Sequence, residues 1–271
     1  MRNGWRAEPG FARREPTLSR DESEVKEGAR GGTMGSSTHK EGARGETTGS
    51  PTQERWATFD CYGTLIDWNG GIRRELERLF GVEPAPRLVE RYHAIEPELQ
   101  RDVYRPYREI LTLALLQLAE EESLAIPEGD SDALARALPE WEPFPDVPPA
   151  LEELRLRGWR LAILSNSDRD LIEASRRRIG IPFDRTIVAE EIGSYKPSHR
   201  HWEEFFDRTR ADRQRHVHVA ASLFHDIAPA TELGLASVWV NRLGEEARLK
   251  PIREIADLSP LPDVLDELVA A

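Results

Sequence analysis

"WATFDCYGTLIDW", residues 56–68, is a run of apolar and β-prone residues that ends on a single carboxylate, Asp60, and then breaks at Gly63. A strand apolar along its length belongs inside a parallel sheet, covered on both faces. An acid at its carboxyl end then stands on the sheet rim, which is where open α/β sheets place their ligands. Four further runs share this character: "RLAILS" (160–165), "RTIVAE" (185–190), "HVHVAA" (216–221) and "ASVWVN" (236–241). Helical spacing intervenes in "ALEELRLRG" (150–158) and in "RDLIEASRRRIG" (169–180), which Gly180 closes in the C′ position. Strands alternating with helices predict an α/β fold, a Rossmann-like parallel sheet flanked by helices and joined by right-handed crossovers.

One insertion breaks the rhythm. Between the first two strands, "GIRRELERLFG" (71–81), "RLVERYHAIEPELQRDV" (87–103), "YREILTLALLQLAEEE" (107–122) and "SDALARALPEW" (131–141) all carry helical spacing. That is too long for a simple crossover. A helical cap subdomain is expected over 70–141, with the hydrolase-like core formed by 55–69 and 142–271 and the chain re-entering it through "EPFPDVPPA" (142–150). Residues 1–54 are different. They lack apolar periodicity, mix charges and repeat "KEGARG" at 26–31 and 40–45, so they cannot bury enough apolar surface to offset their ordering entropy. The expectation there is a solvated, disordered tail, or a displaced start with Met34 as the true one.

Composition narrows the partners. With 271 residues and 39% hydrophobic content, the chain can build one sizeable core plus a subdomain. A formal net charge of −12 opposes binding to nucleic acid or to an anionic membrane surface. Neither a membrane-spanning apolar run nor a secretory signal is visible, and Cys61, the sole cysteine, excludes an intrachain disulfide. A cytoplasmic location, a small-molecule substrate and a possible homodimer are the expectations.

The polar residues then fall into place. Asp60 ends the first strand, Ser165 and Asn166 end the second, Lys196 follows the third in "GSYKPSHRHW", and Asp226 follows the fourth in "AASLFHDIAPA". All four groups lie on one rim and can converge on one pocket. "DCYGT" (60–64), "LSNSD" (164–168), "SYKP" (194–197) and "HDIAPA" (225–230), in this order and with a helical insert after the first, resemble the four motifs of the haloacid dehalogenase superfamily, in its L-2-haloacid dehalogenase branch. The resemblance covers about residues 55–243. It implies Asp60 as a nucleophile that forms a covalent ester, Thr64 steadying the first loop, and Ser165, Asn166 and the amides near Cys61 and Tyr62 holding substrate. Lys196 would neutralise charge and Asp226 would orient the site. It also implies a cap arginine that binds halide with Asn166, for which Arg91 is the candidate against Arg87, Arg101 and Arg105.

Chemistry discriminates within the superfamily. A phosphatase must protonate a departing alkoxide, and its acid is usually a second aspartate two residues after the nucleophile. Here that position is Tyr62. Halide leaves without a proton, so a dehalogenase has no need of the acid. Mg²⁺ prefers octahedral oxygen ligation, and where phosphatase relatives carry a further aspartate in the fourth motif this chain has Ala221. The reading is thus a metal-independent hydrolase that displaces halide from an (S)-2-haloacid and releases the inverted 2-hydroxy acid, with no cofactor required. Two alternatives remain: a Mg²⁺-dependent phosphatase using Asp60, the Tyr62 carbonyl and Asp226, or a non-catalytic module that retains the fold. Ala221 and Leu223 replace a hydroxyl residue and an asparagine of the dehalogenase pattern, and Trp202 replaces a tyrosine that would contact substrate.

Other residues have plain readings. His199 with His201, and His216 with His218, form two "HxH" pairs that lack a partner spaced to complete a zinc site, so they are expected at the surface. Cys61 alternates with Asp60 and should point away from the pocket. Trp141, Trp159 and Trp239 suit core or cap packing, while Trp68 and Trp202 could wall a pocket.

Overall fold

A computed structural model of the chain describes residues 54–101, 103–246 and 253–270. The tail expected over 1–54 lies outside the described residues except for Glu54. Six strands form one sheet: β1 (Arg55–Phe59), β2 (Trp159–Ser165), β3 (Arg185–Val188), β4 (His216–Ala220), β5 (Ala236–Val240) and β6 (Arg253–Ile255). Every pairing is parallel, in the order β3-β2-β1-β4-β5-β6. The chain begins at the centre, winds out through β2 and β3, then returns to the other side of β1 for β4. The order therefore reverses between β1 and β4, the switch point at which open α/β sheets bind their ligands.

The periodicity of the insert resolves into α1 (Trp68–Phe80), α2 (Ala85–Leu99), α3 (Tyr107–Glu121) and α4 (Ala133–Ala137). Next come α5 (Val147–Leu156), α6 (Arg169–Ile179), α7 (Ala189–Ile192) and α8 (Arg200–Thr209), then α9 (Ala228–Glu232) and α10 (Leu261–Leu268). Gly180 closes α6 in the left-handed region with φ 74°, a conformation only glycine adopts freely. Two features differ from the sequence reading. The strand expected over 185–190 ends at Val188, and Ala189–Ile192 turns into the short helix α7. β6 has no counterpart among the expected strands; it is three residues of mixed charge at a sheet edge, where a short charged strand is tolerated and gives little periodicity.

Because successive strand residues face opposite ways, β1 feeds two cores. Ala57 and Phe59 join the larger cluster, which runs on into Ile72, Leu76, Leu88, Ile110 and Leu115 of the insert. Trp56 joins Ala162, Leu164 and Ile187 against Trp202 and Phe205 of α8. Each such side chain contributes about 1.5–3 kcal/mol on leaving water. Gly71, inside α1, lies under the ring of Trp141, where a Cβ would fall 2.2 Å from a ring carbon. The N-terminus of α3 receives no cap from its own preceding residue, Pro106. Instead the carboxylate of Asp168, from the loop after β2, accepts from the backbone N–H of Tyr107 (2.7 Å) and Arg108 (2.9 Å). No helix among the described residues is long and apolar enough to cross a membrane.

Candidate active site

Lys196 is the hub of the rim. Its side chain is 1% exposed, and its three N–H donors all have acceptors: Asp60 Oδ1 at 2.9 Å, the Leu164 carbonyl at 2.9 Å and Asp226 Oδ1 at 2.6 Å. An ammonium has three donors and no acceptor, so the group is fully satisfied. The loop carrying it follows α7 and contains a cis peptide between Lys196 and Pro197. Asn166 holds this loop by both ends of its amide. Oδ1 accepts from Lys196 N at 2.6 Å and Nδ2 donates to Lys196 O at 3.0 Å, and the backbone donor and acceptor force that orientation of the amide.

Asp60 follows β1 directly, and its amide pairs with Val219 O of β4 at 3.1 Å. Both carboxylate oxygens accept: Oδ1 from Lys196 and Oδ2 from the Thr64 hydroxyl at 2.8 Å. Thr64 in turn accepts from Ala221 N at 2.9 Å, which ties the first loop to the fourth. Burial pushes the Asp60 carboxyl above the ordinary aspartate value, with the Lys196 ammonium opposing and the Asp226 charge adding to the rise. Asp226 behaves the other way. Burial alone would raise it, but Lys196 and the donor from His218 hold it below the usual carboxylate range. Two carboxylates share one ammonium; the Lys196 charge and the His218 donor favour the ionised form of Asp226, whose charge in turn raises Asp60.

Asp226 sits in a π-helical turn, Leu223–Ile227, that begins at Ser222 and runs into α9. Its Oδ1 accepts from Lys196 and from His218 Nε2 at 3.0 Å, while buried Oδ2 has no hydrogen-bond partner. His218 and His216 are both fully buried, and each lies 2.8 Å from the hydroxyl of Thr58 on β1. His201 is also fully buried, with Nε2 donating to Ser165 O at 3.0 Å, and burial lowers its pKa to about 3. Only His199, paired with Glu232, matches the surface expected of all four histidines. The expectation fails for the other three. β4 is covered on both faces, so its histidines must find partners inside, and α8 turns His201 inward against β2.

The remaining predicted residues separate. Ser165 is buried at the end of β2, and Cys61 is buried within the larger core, facing away from Asp60's side of the strand. Tyr62 stacks on Tyr107 of α3 with centroids 6.0 Å apart, and its hydroxyl accepts from Ser175 Oγ at 3.3 Å. Tyr107 also accepts from Trp68 Nε1 at 3.0 Å. Arg91 is not brought to the cluster; it lies on the outside of α2 and pairs with Glu121. Trp202 is buried beneath the rim, edge-on to His218 at 5.1 Å between ring centroids. Residues that sequence reasoning passed over include Thr58, two positions before Asp60 and therefore on its face, and Arg242, whose guanidinium donates to Thr64 O at 2.9 Å and pairs with Asp146. The alternation of "HVHVAA" with "ATFD" carried the signal for the first.

The donor set suits an ammonium between carboxylates better than a dication. Among the described residues no group of three or more His, Cys, Asp or Glu is gathered, and Ala221 supplies only its amide to the cluster. An octahedral Mg²⁺ on Asp60, Tyr62 O and Asp226 would take water and substrate oxygens for the rest of its shell, and it would compete with the Lys196 ammonium that already bridges Asp60 Oδ1 and Asp226 Oδ1.

Known proteins similar to this chain include haloacid dehalogenases. The (S)-2-haloacid dehalogenase 4A of Burkholderia cepacia is 27% identical over 223 residues, 79% of this chain and 93% of the relative. The (S)-2-haloacid dehalogenase 1 of Pseudomonas sp. (strain CBS-3) is 28% identical over 219 residues, 78% of this chain and 96% of the relative. Among solved structures, a dehalogenase with intermediate complex superposes with a TM-score of 0.71 at 23% identity, covering 80% of this chain and 98% of that one, a likeness of fold. The model of the haloacid dehalogenase-like hydrolases matches residues 55–234, and the chain belongs to that family.

Proposed function

We propose that the protein is an (S)-2-haloacid dehalogenase that works through a covalent aspartyl ester and without a metal. The observation that carries this reading is Asp60. Its two oxygens accept from Lys196 and Thr64, as an ionised nucleophile requires, and two residues later stands an aromatic residue turned onto α3 in place of a carboxylic acid. The named activity of the two relatives supports it.

In the first step an Asp60 oxygen bonds to the substrate α-carbon from behind as the carbon–halogen bond breaks; the halide leaves with the electron pair and needs no proton. In the second, water adds to the Asp60 carboxyl carbon, and the acyl–oxygen bond breaks. A 2-hydroxy acid departs with inverted configuration, carrying the former aspartate oxygen. The substrate carboxylate is held by Ser165 and the amides of Cys61 and Tyr62, with the Lys196 charge nearby. Helices α1–α4 act as the cap, 70–141 over a core of 55–69 and 142–271, and Tyr62, Trp68 and Tyr107 exclude water while the ester forms. Asn166 serves by fixing Lys196, since both ends of its amide are committed to that loop.

The test is halide release from L-2-chloropropionate in EDTA, alongside p-nitrophenyl phosphate with Mg²⁺, with Asp60→Asn as control. Chloride release in EDTA that vanishes in the variant is expected. Metal-dependent phosphate release would make the protein a phosphatase, and inactivity on both substrates would leave a binding module.

A further inference from the structure

Behind the catalytic rim lies a buried chain of polar side chains that neither step uses: His216, Thr58, His218 and Asp226. Thr58 Oγ1 is 2.8 Å from His216 Nε2 and 2.8 Å from His218 Nδ1, and His218 Nε2 is 3.0 Å from Asp226 Oδ1. All four residues are 1% exposed or less. Asp226 can only accept, because Lys196 donates to the same Oδ1, so His218 Nε2 carries the hydrogen. With neutral rings one direction then satisfies every contact: His216 Nε2–H to Thr58, Thr58 O–H to His218 Nδ1, and His218 Nε2–H to Asp226. Asp226 thus sets the tautomer of His218, and Thr58 supports it by donating to the bare Nδ1. His216 Nδ1 is left without a partner, as expected at the end of a one-way chain.

Asp226 Oδ1 receives two donors, and Oδ2 receives none although it is buried. An unpaired buried carboxylate oxygen is costly and calls for a function. One lysine nitrogen separates Oδ1 of the same carboxylate from Asp60 Oδ1, which puts Oδ2 within a carboxylate's width of the site where, in the proposed reaction, water opens the ester.

We propose that His218 is a positioning residue for ester hydrolysis, holding Asp226 by Oδ1 so that Oδ2 takes the proton of the attacking water. The inference rests on the dehalogenase reading given above. The balance is simple. The water oxygen bonds to the Asp60 carboxyl carbon as one of its protons passes to Asp226 Oδ2; the tetrahedral adduct collapses, that proton goes to the leaving oxygen of the hydroxy acid, and the other water proton leaves the regenerated Asp60 carboxyl for solvent, restoring the carboxylate. His218 exchanges no proton. Halide displacement makes no use of Oδ2, so loss of His218 falls chiefly on the second step.

The experiment is rapid-quench chloride release with L-2-chloropropionate, together with intact-protein mass spectrometry, on wild type, His218→Leu, His218→Gln, Thr58→Val and Thr58→Ser. His218→Leu should keep a one-equivalent chloride burst, then turn over roughly tenfold or more slower, with the Asp60 ester accumulating. His218→Gln, which keeps a donor at the position of Nε2, and Thr58→Ser should restore turnover; Thr58→Val should fall between. Equal slowing of burst and turnover in His218→Leu, or wild-type kinetics, overturns the proposal. Nitrogen NMR of the wild type is a test independent of substrate: the Nε2–H tautomer of His218 is expected, and the Nδ1–H tautomer overturns the proposal. A wild type that releases no chloride yet shows the Nε2–H tautomer would sink the dehalogenase reading and leave the geometry of the chain standing.

Discussion

A single ammonium balances the site. Lys196 stands between two buried carboxylates with every donor used, so its removal leaves charges that the interior cannot screen. Lys196→Met is expected to lose halide release and to cost about 3–5 kcal/mol in denaturant unfolding; a loss under about 1 kcal/mol would show that the pair is poorly coupled to the fold. A further buried acid gives a pH signature. Glu96 of α2 accepts from Gln100 at 2.9 Å, and burial raises its pKa to about 7 against the lowering by its Tyr107 and Gln100 contacts. Its folded value exceeds its unfolded one, so the native state holds the proton more tightly. Stability is therefore greatest below about pH 4.5 and falls as pH rises to about 7, by at most ~3 kcal/mol for this group. Glu96→Gln should flatten that interval in pH-dependent unfolding, and an unchanged slope would remove Glu96 as its cause.

Among the elements, α3 is the one whose placement depends most plainly on a distant residue. Its first two N–H groups are capped by Asp168 from the loop after β2, which also carries Asn166. Tyr195 adds a bond across the same junction by donating to Arg105 O at 2.7 Å. The loop that carries Asn166 therefore also ties the inserted helices to the carboxyl end of β2. Asp168→Ala should cost about 1–2 kcal/mol and raise hydrogen exchange selectively at Tyr107 and Arg108. Protection that stays at the wild-type level would mean that packing of Tyr107 on Tyr62 suffices. Gly71 belongs to the same scale. Gly71→Ala gains helix propensity but drives a methyl into Trp141, and a net loss of about 1–3 kcal/mol in thermal or denaturant unfolding is expected.

The whole molecule carries a net charge of −12 and, on the proposed reading, must admit an anion. The long-range field opposes entry until the substrate meets Lys196. Added salt should therefore raise kcat/KM, by about twofold between low and ~0.3 M ionic strength, as screening weakens the repulsion. A fall with salt would point to local attraction outweighing the field. The same scale explains the sheet order: β1 is central because the first motif must reach both the β2 loop and the β4 loop, and only a strand flanked by both can deliver Asp60 to Ser165 and to Asp226.

Five strands, the helical insert and the rim position of Asp60, Ser165, Asn166, Lys196 and Asp226 were legible in the sequence. Local periodicity and the alternation of strand and helix determine these features, and they survive without knowledge of contacts. What the sequence could not decide was which side chains touch. His216 and His218 read as surface residues because an imidazole's environment depends on its neighbours, and those neighbours, Thr58 and Asp226, come from another strand and from a turn. Arg91 had the right chemistry on a helix of the insert, but the rotation of α2 places it against Glu121, outside the cluster. Sequence alone determined the strand ends on which the reactive groups stand. The tertiary structure decided how the charges are shared, because one lysine, two carboxylates and a buried histidine meet only when β1, β2 and β4 lie side by side.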